Sequence, residues 1–319
     1  MRTIKRLLAG AALALGLAQS AAAVDFPTGT VTLVVPYSPS GNTDIFARHL
    51  ATALQERWGH PVVVENKPGG GSMVGTAYVS QSKPDAHTIL MTTSAYATAP
   101  AVYKDLPFNP ETDMKPVGIF GYIAYILIVN ADTGIKTLEE FVEKAKGSDM
   151  FAATAGLGTT THFGMEKFLS DAGLDLEVVH YKGGGDAMVA ILSKEADIYD
   201  TSVATAGDQI KAGALNALAV MDDKRVTALP DVPTTAEVGY PDVQIRQWLG
   251  MFVPSGVSDE VVTFINSEVN EVVSSQAFLD VVAPIDINIE TSSVPDVTAR
   301  LAREMENWKK LAVERGISK

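Results

Sequence analysis

Val31-Thr32-Leu33-Val34-Val35-Pro36-Tyr37-Ser38-Pro39-Ser40-Gly41-Asn42-Thr43-Asp44 passes from an apolar, β-branched run through a turn into a helical pattern over Ile45 to Arg57. An apolar run of this kind reads as a strand buried on both faces. A strand feeding directly into a helix is the repeating unit of parallel α/β sheets. The pattern recurs along the chain. Further strands are predicted at Val62 to Val64, Ile89 to Met91, Tyr125 to Val129, Phe151 to Ala153, Val178 to Tyr181, Leu218 to Met221 and Met251 to Val253. Helices are predicted over Leu138 to Lys146, Phe163 to Ala172, Ala187 to Lys194, Ser258 to Gln276 and Ser293 to Arg315. Thr137 and Glu140 fit a capping box, which marks the first helix of a second lobe. The fold class expected is therefore α/β, with two lobes, each a mainly parallel sheet flanked by helices.

The N-terminus carries Arg2, Lys5 and Arg6, then an apolar run from Leu7 to about Ala18, then Ala21-Ala22-Ala23. That order is a signal peptide over residues 1–23. The apolar run falls short of the ~20 residues needed to span a bilayer. Cleavage after Ala23 leaves 296 of the 319 residues, enough for two lobes. The lobes are expected to exchange near residues 125 and 247, giving 24–125 and 247–319 to lobe 1 and 126–246 to lobe 2. Cleavage lowers the basic count from 25 to 22 against 38 acidic residues, a net charge of −16. Such a surface argues against nucleic acid as a partner, and it requires any anionic ligand to be held by focused local donors. With no cysteine, the fold must rest on its core, which 46% hydrophobic residues can supply.

Ligands of open α/β sheets bind at the carboxyl ends of the strands. There Tyr37, Ser38, Ser40, Gly41, Asn42, Thr43 and Asp44 lie between a strand and a helix start, whose free amides suit a carboxylate or phosphate. The alternative is an ordinary cap by Asn42 or Thr43. Ser72 follows Gly69-Gly70-Gly71 after the next strand, and Thr93 with Ser94 follows the third. The glycines do not meet the G-x-G-x-x-G spacing of a dinucleotide loop. In the second lobe, Ala155, Gly156, Gly158, Thr159, Thr160 and His162 mirror the first segment, and Thr154 and Thr161 add hydroxyls. Tyr181, before a glycine loop, and Asp200, at a strand end, stand at the same edge; Asp200 suits a ligand's donor group or a helix cap. Arg246 and Gln247 near the crossover are further candidates, with a structural ion pair the commoner role for the arginine. The chain has no G-x-S-x-G elbow, no H-E-x-x-H and no cysteine-based metal spacing, and its five histidines are scattered. No catalytic residue, metal or cofactor is called for.

Taken together, Pro36 to Asp44, Arg48, Val64-Glu65-Asn66-Lys67-Pro68-Gly69-Gly70-Gly71-Ser72, Tyr181-Lys182-Gly183, Ala212 to Val220, Arg225 and Leu229-Pro230-Asp231-Val232-Pro233-Thr234 resemble the Bug family, the receptors of tripartite tricarboxylate transporters. The resemblance spans nearly the whole chain after residue 23. It implies a periplasmic Venus-flytrap receptor, expected to be a monomer, that delivers a di- or tricarboxylate or an aromatic acid to membrane permease subunits. One ligand carboxylate would lie between Tyr37 to Asp44 and Ala155 to His162. Two segments depart from the family: Ser40-Gly41 replaces paired glycines in the implied pocket, and Asp85-Ala86-His87 replaces Asp-Gly-Tyr. Two other roles fit the same scaffold: an extracytoplasmic hydrolase or isomerase using His162 with Asp200, and a ligand sensor for a membrane kinase.

Overall fold

The computed structural model describes residues 24–317 except 38, 40, 41, 182 and 284–286. The proposed signal peptide and the candidates Ser38, Ser40 and Gly41 therefore lie outside the described residues.

β1 (Val31–Val35) lies between β2 (Val62–Asn66) and β3 (Thr88–Thr93), all parallel. β9 (Arg246–Pro254) pairs antiparallel with β3 and with the 17-residue β4 (Met114–Asn130). β4 keeps β9 as its partner through Ala124, and from Tyr125 it pairs with β7 (Ile198–Ser202) and β8 (Leu215–Val220). β5 (Phe151–Thr154) is parallel to β7 and to β6 (Glu177–His180). The order β2-β1-β3-β9-β4-β7-β5-β6 thus joins two parallel-stranded halves through two long antiparallel strands. The antiparallel centre departs from the uniform strand-helix alternation of the sequence, because no helix intervenes where β4 crosses from one half to the other.

Helices cover both faces, which is why β1 is apolar at every position but Thr32. Leu33 and Val35 pack with Phe46, Leu50 and Leu54 of α1 (Asn42–Trp58). Val34 and Leu90 pack on the other face with Tyr96 of α3 (Ala95–Val102) and with Val297 and Leu301 of α10 (Val294–Glu314). Each such side chain contributes roughly 1.5–3 kcal/mol by leaving water. α2 (Met73–Ser80) follows the triple glycine; α4 (Leu138–Ala145), α5 (Thr160–Ala172), α6 (Gly184–Ser193) and α7 (Val203–Lys211) belong to the second half.

At the start of α4, Thr137 Oγ1 accepts from Glu140 N at 3.2 Å, while Glu140 Oε2 accepts from Lys136 N at 2.8 Å, one residue before the cap. The helix expected from Ser258 to Gln276 is two: α8 (Asp259–Val273) and α9 (Gln276–Val282). Ser275 stops and restarts the chain by capping the second one, accepting from Phe278 N at 3.3 Å.

Candidate functional site

Each half brings strand-to-helix turns to the carboxyl ends of its parallel strands, and there the hydroxyl-bearing residues gather. In the first half the Tyr37 hydroxyl lies 2.8 Å from Thr93 Oγ1 and 3.2 Å from Thr92 Oγ1, with Ser72 also hydrogen-bonded to it. Burial raises the Tyr37 pKa, so the phenol stays protonated and available as a donor. Ser72, buried and left-handed at φ 88°, precedes α2 without capping it. α1 begins at Asn42, so Asn42 and Thr43 occupy its first turn, not its cap position. Their amides are among those that a helix leaves without internal partners.

Asp44 is buried and serves the scaffold. It accepts from Arg48 Nε and Nη2 at 3.0 Å each and from Asn66 Nδ2 at 2.8 Å, and Asn66 also donates to Tyr37 O at 3.1 Å. This network ties the turn after β1 to the end of β2.

In the second half, most of the candidate hydroxyls are committed within their own loop. Thr161 Oγ1 accepts from Ala155 N at 2.7 Å, Thr159 Oγ1 donates to Gly156 O at 2.6 Å, and Gly156 N donates to Thr154 Oγ1 at 3.4 Å. Thr159 caps α5, accepting from His162 N at 3.4 Å. The Ala155, Gly156 and Gly158 amides that were expected to face an anion thus already have acceptors, whereas Thr160 and Thr161 open the helix, where amides lack intrahelical partners. Tyr181 is half-buried, and its amide donates to Thr154 O at 3.0 Å.

His162 is turned into the protein. Its ring is fully buried, Nδ1 accepts from Gly158 N at 3.1 Å, and the His180 ring packs edge-on at 4.5 Å. Burial, assisted by His180, lowers its pKa to about 3, so it is neutral at ordinary pH. Asp200 is likewise enclosed: a Cβ on Gly164 of α5 would sit 2.4 Å from its Oδ2. Neither of its oxygens bonds to another described residue, and burial pushes its pKa well above the usual carboxylate range. The helix cap considered for Asp200 is supplied by Ser202, which accepts from Thr205 N at 3.3 Å. Arg246 is engaged by Asp222 and Asp223 and lies 4.8 Å over the Tyr122 ring. It is a structural ion pair.

The two halves meet at these loops. Ser94 Oγ lies 3.0 Å from Thr160 Oγ1, Thr98 Oγ1 donates to Gly158 O at 3.0 Å, and Gln247 Nε2 donates to Thr160 Oγ1 at 3.4 Å. Thr98 escaped the sequence reading because α3 contains Pro100 and lacks an amphipathic stripe. Thr92 and His180, whose Nδ1 lies 2.8 Å from Thr154 Oγ1, were also missed, although both stand at predicted strand ends.

Comparison with known proteins yields a consistent set. A family model described as tripartite tricarboxylate transporter family receptor matches residues 46–317. A UPF0065 protein of Bordetella pertussis is 34% identical over 274 residues, spanning 85% of this chain and 84% of that protein. The solved structure of the periplasmic binding protein BugD is 30% identical, with a TM-score of 0.78, and the match covers 92% of this chain and 100% of that one. A protein of R. palustris solved with adipate is 27% identical, with a TM-score of 0.81, and the match covers 92% of this chain and 99% of that one.

Proposed function

Because the chain belongs to the tripartite tricarboxylate transporter receptor family and has the two-lobed fold of periplasmic binding proteins, we propose that it captures a small carboxylate between its lobes and delivers it to a membrane permease. Residues 1–23 would direct it to the periplasm as a signal peptide, and it would act as a monomer. Lobe 1 would comprise 24–125 and 247–319, and lobe 2 would comprise 126–246.

The observation that supports this reading is the hydroxyl-rich contact between the halves, where the start of α5 at Thr160 meets Ser94, next in sequence to the Thr93 that bonds Tyr37; α1 starts at Asn42 in the turn that follows Tyr37. Amides of the first turns, with the positive ends of both helix dipoles, supply focused donors inside a strongly negative protein. The hydroxyl of Tyr37, with Thr93 and Ser94, would complete the carboxylate site from lobe 1, and Thr160 from lobe 2. Asp44, Thr159 and His162 would act by holding the loops in shape. Both sets of donors are assembled only when the lobes are closed, so binding selects the closed form. A dicarboxylate is the favoured ligand class, supported by the adipate bound to the R. palustris relative. The acid-base alternative through His162 and Asp200 has no such support, because both side chains are buried away from solvent.

A thermal-shift screen of the mature protein against mono-, di- and tricarboxylates and aromatic acids tests this. A ligand at ~100 times its Kd stabilises the native state by about 2.7 kcal/mol. A selective rise in Tm with dicarboxylates such as adipate is expected. Ligand-free protein that shows no rise with any carboxylate would exclude the proposal.

A further inference from the structure

α5 starts in the carboxylate loop of the second half, and His162 and Glu166 stand one turn apart on it, both buried. His162 Nδ1 accepts from Gly158 N at 3.1 Å. A ring nitrogen that accepts carries no proton, so the proton of the neutral imidazole is on Nε2. That donor has no hydrogen-bond partner among the described residues, and Glu166 Oε1 lies 3.8 Å from it, beyond bonding range. Leaving a buried donor in this state is costly.

Glu166 is held off by a second donor. Its Oε2 accepts from Arg315 Nε at 2.6 Å. Arg315 closes α10, which packs through Val297 and Leu301 on Val34 and Leu90 of the first half. The arginine is thus carried by one half and the glutamate by the other. Gly158 is also gripped from both: His162 takes its amide, and Thr98 of α3 donates to its carbonyl at 3.0 Å. α3 comes so close that a Cβ on Gly158 would lie 3.3 Å from Val102 Cγ2. Two residues further on, Thr160 meets Ser94.

From this we propose that Glu166 is a positioning residue of the carboxylate loop, passed between Arg315 and His162 as the halves close and part. While the halves are together, Arg315 holds the carboxylate and His162 is left to hold the Gly158 amide. Separation withdraws Arg315 and Thr98 together. Glu166 then lacks its cation, and the His162 Nε2–H, which has only about 1 Å to travel, bonds it instead. That movement draws Nδ1 away from Gly158 and loosens the loop. A ligand carboxylate is therefore held tightly only once Arg315 has engaged Glu166. This consequence for binding rests on the proposed receptor function; the exchange of partners does not.

The full mature chain is compared with Arg315→Met, Arg315→Lys, Glu166→Gln and the double variant Arg315→Met with Glu166→Gln, each shown to be folded by its melting curve. Adipate is the probe ligand. Arg315→Met weakens its binding about tenfold, a coupling typical of separated sites, chiefly through faster dissociation. Arg315→Lys, which keeps a cation, stays near the parent. In the Glu166→Gln background Arg315→Met has no further effect, because the arginine acts through that carboxylate. In proton-nitrogen NMR of the ligand-free chain, Arg315→Met moves the His162 Nε2 proton downfield and speeds exchange of the Gly158 amide. Neither change occurs in the double variant. An unmoved His162 resonance, or an equal loss of affinity with and without the Glu166 carboxylate, overturns the inference. A parent chain that binds no adipate counts against the receptor function alone, and the NMR comparison then decides the inference by itself.

Discussion

His162 on α5 and Asp200 on β7 belong to the same half, both enclosed, and their burial drives stability in opposite directions with pH. The His162 pKa falls from about 6.5 in the unfolded chain to about 3 in the folded one. The unfolded chain then binds more protons across that window, so stability is lost as pH falls below about 6.5. The Asp200 pKa is raised, so the folded chain holds the extra proton, and its contribution is lost as pH rises above the unfolded carboxylate range, near 4. His162→Gln should flatten the decline in stability between pH 6.5 and 5 by about 1–2 kcal/mol, measured by urea unfolding. Asp200→Asn should raise Tm at pH 7, a gain that disappears at about pH 4. A variant that instead tracks the parent at every pH contradicts the assignment for that residue.

Among the elements, β4 joins the two halves. Its register shifts between Pro116 and Gly118 and again between Ile119 and Gly121, which lets one strand follow β9 and then turn towards β7 and β8. A Cβ at Gly118 would meet the Phe120 ring at 2.3 Å and Asn266 Nδ2 at 2.9 Å. Asn266 donates to Val117 O and to Ser292 O at 2.8 Å each and cannot give way without breaking those bonds. Gly118→Ala is therefore expected to cost about 1–3 kcal/mol in chemical denaturation, as overpacking does. Gly29→Ala, with open space around it, serves as the neutral control. The apolar run from Tyr125 to Val129 was legible as a strand, but the extension back to Met114 was not, because Pro116, Gly118 and Gly121 read locally as strand breakers. Bulges and packing against β9 override that local preference.

At the scale of the molecule, a charge pair at the C-terminal end of α10 links the halves. Arg315 Nε donates to Glu166 Oε2 at 2.6 Å, and Glu166 is buried on α5. Removing the arginine leaves a buried carboxylate unpaired, a penalty that opening of the lobes relieves. Arg315→Ala should therefore enlarge the radius of gyration of the ligand-free protein in small-angle scattering and weaken carboxylate binding. Scattering identical to the parent would show that the pair does not bias closure. The α/β class, the principal strands and the turns after β1 and β5 were legible in the sequence alone. Apolar runs, turn residues and helix starts are local signals, written within a few residues of one another. The roles of Asp44, His162 and Arg246 and the contact of Ser94 with Thr160 emerged only from the tertiary structure. Whether a polar side chain faces a ligand, an ion-pair partner or the core depends on residues tens to hundreds of positions away in the chain, which only the packed fold brings together.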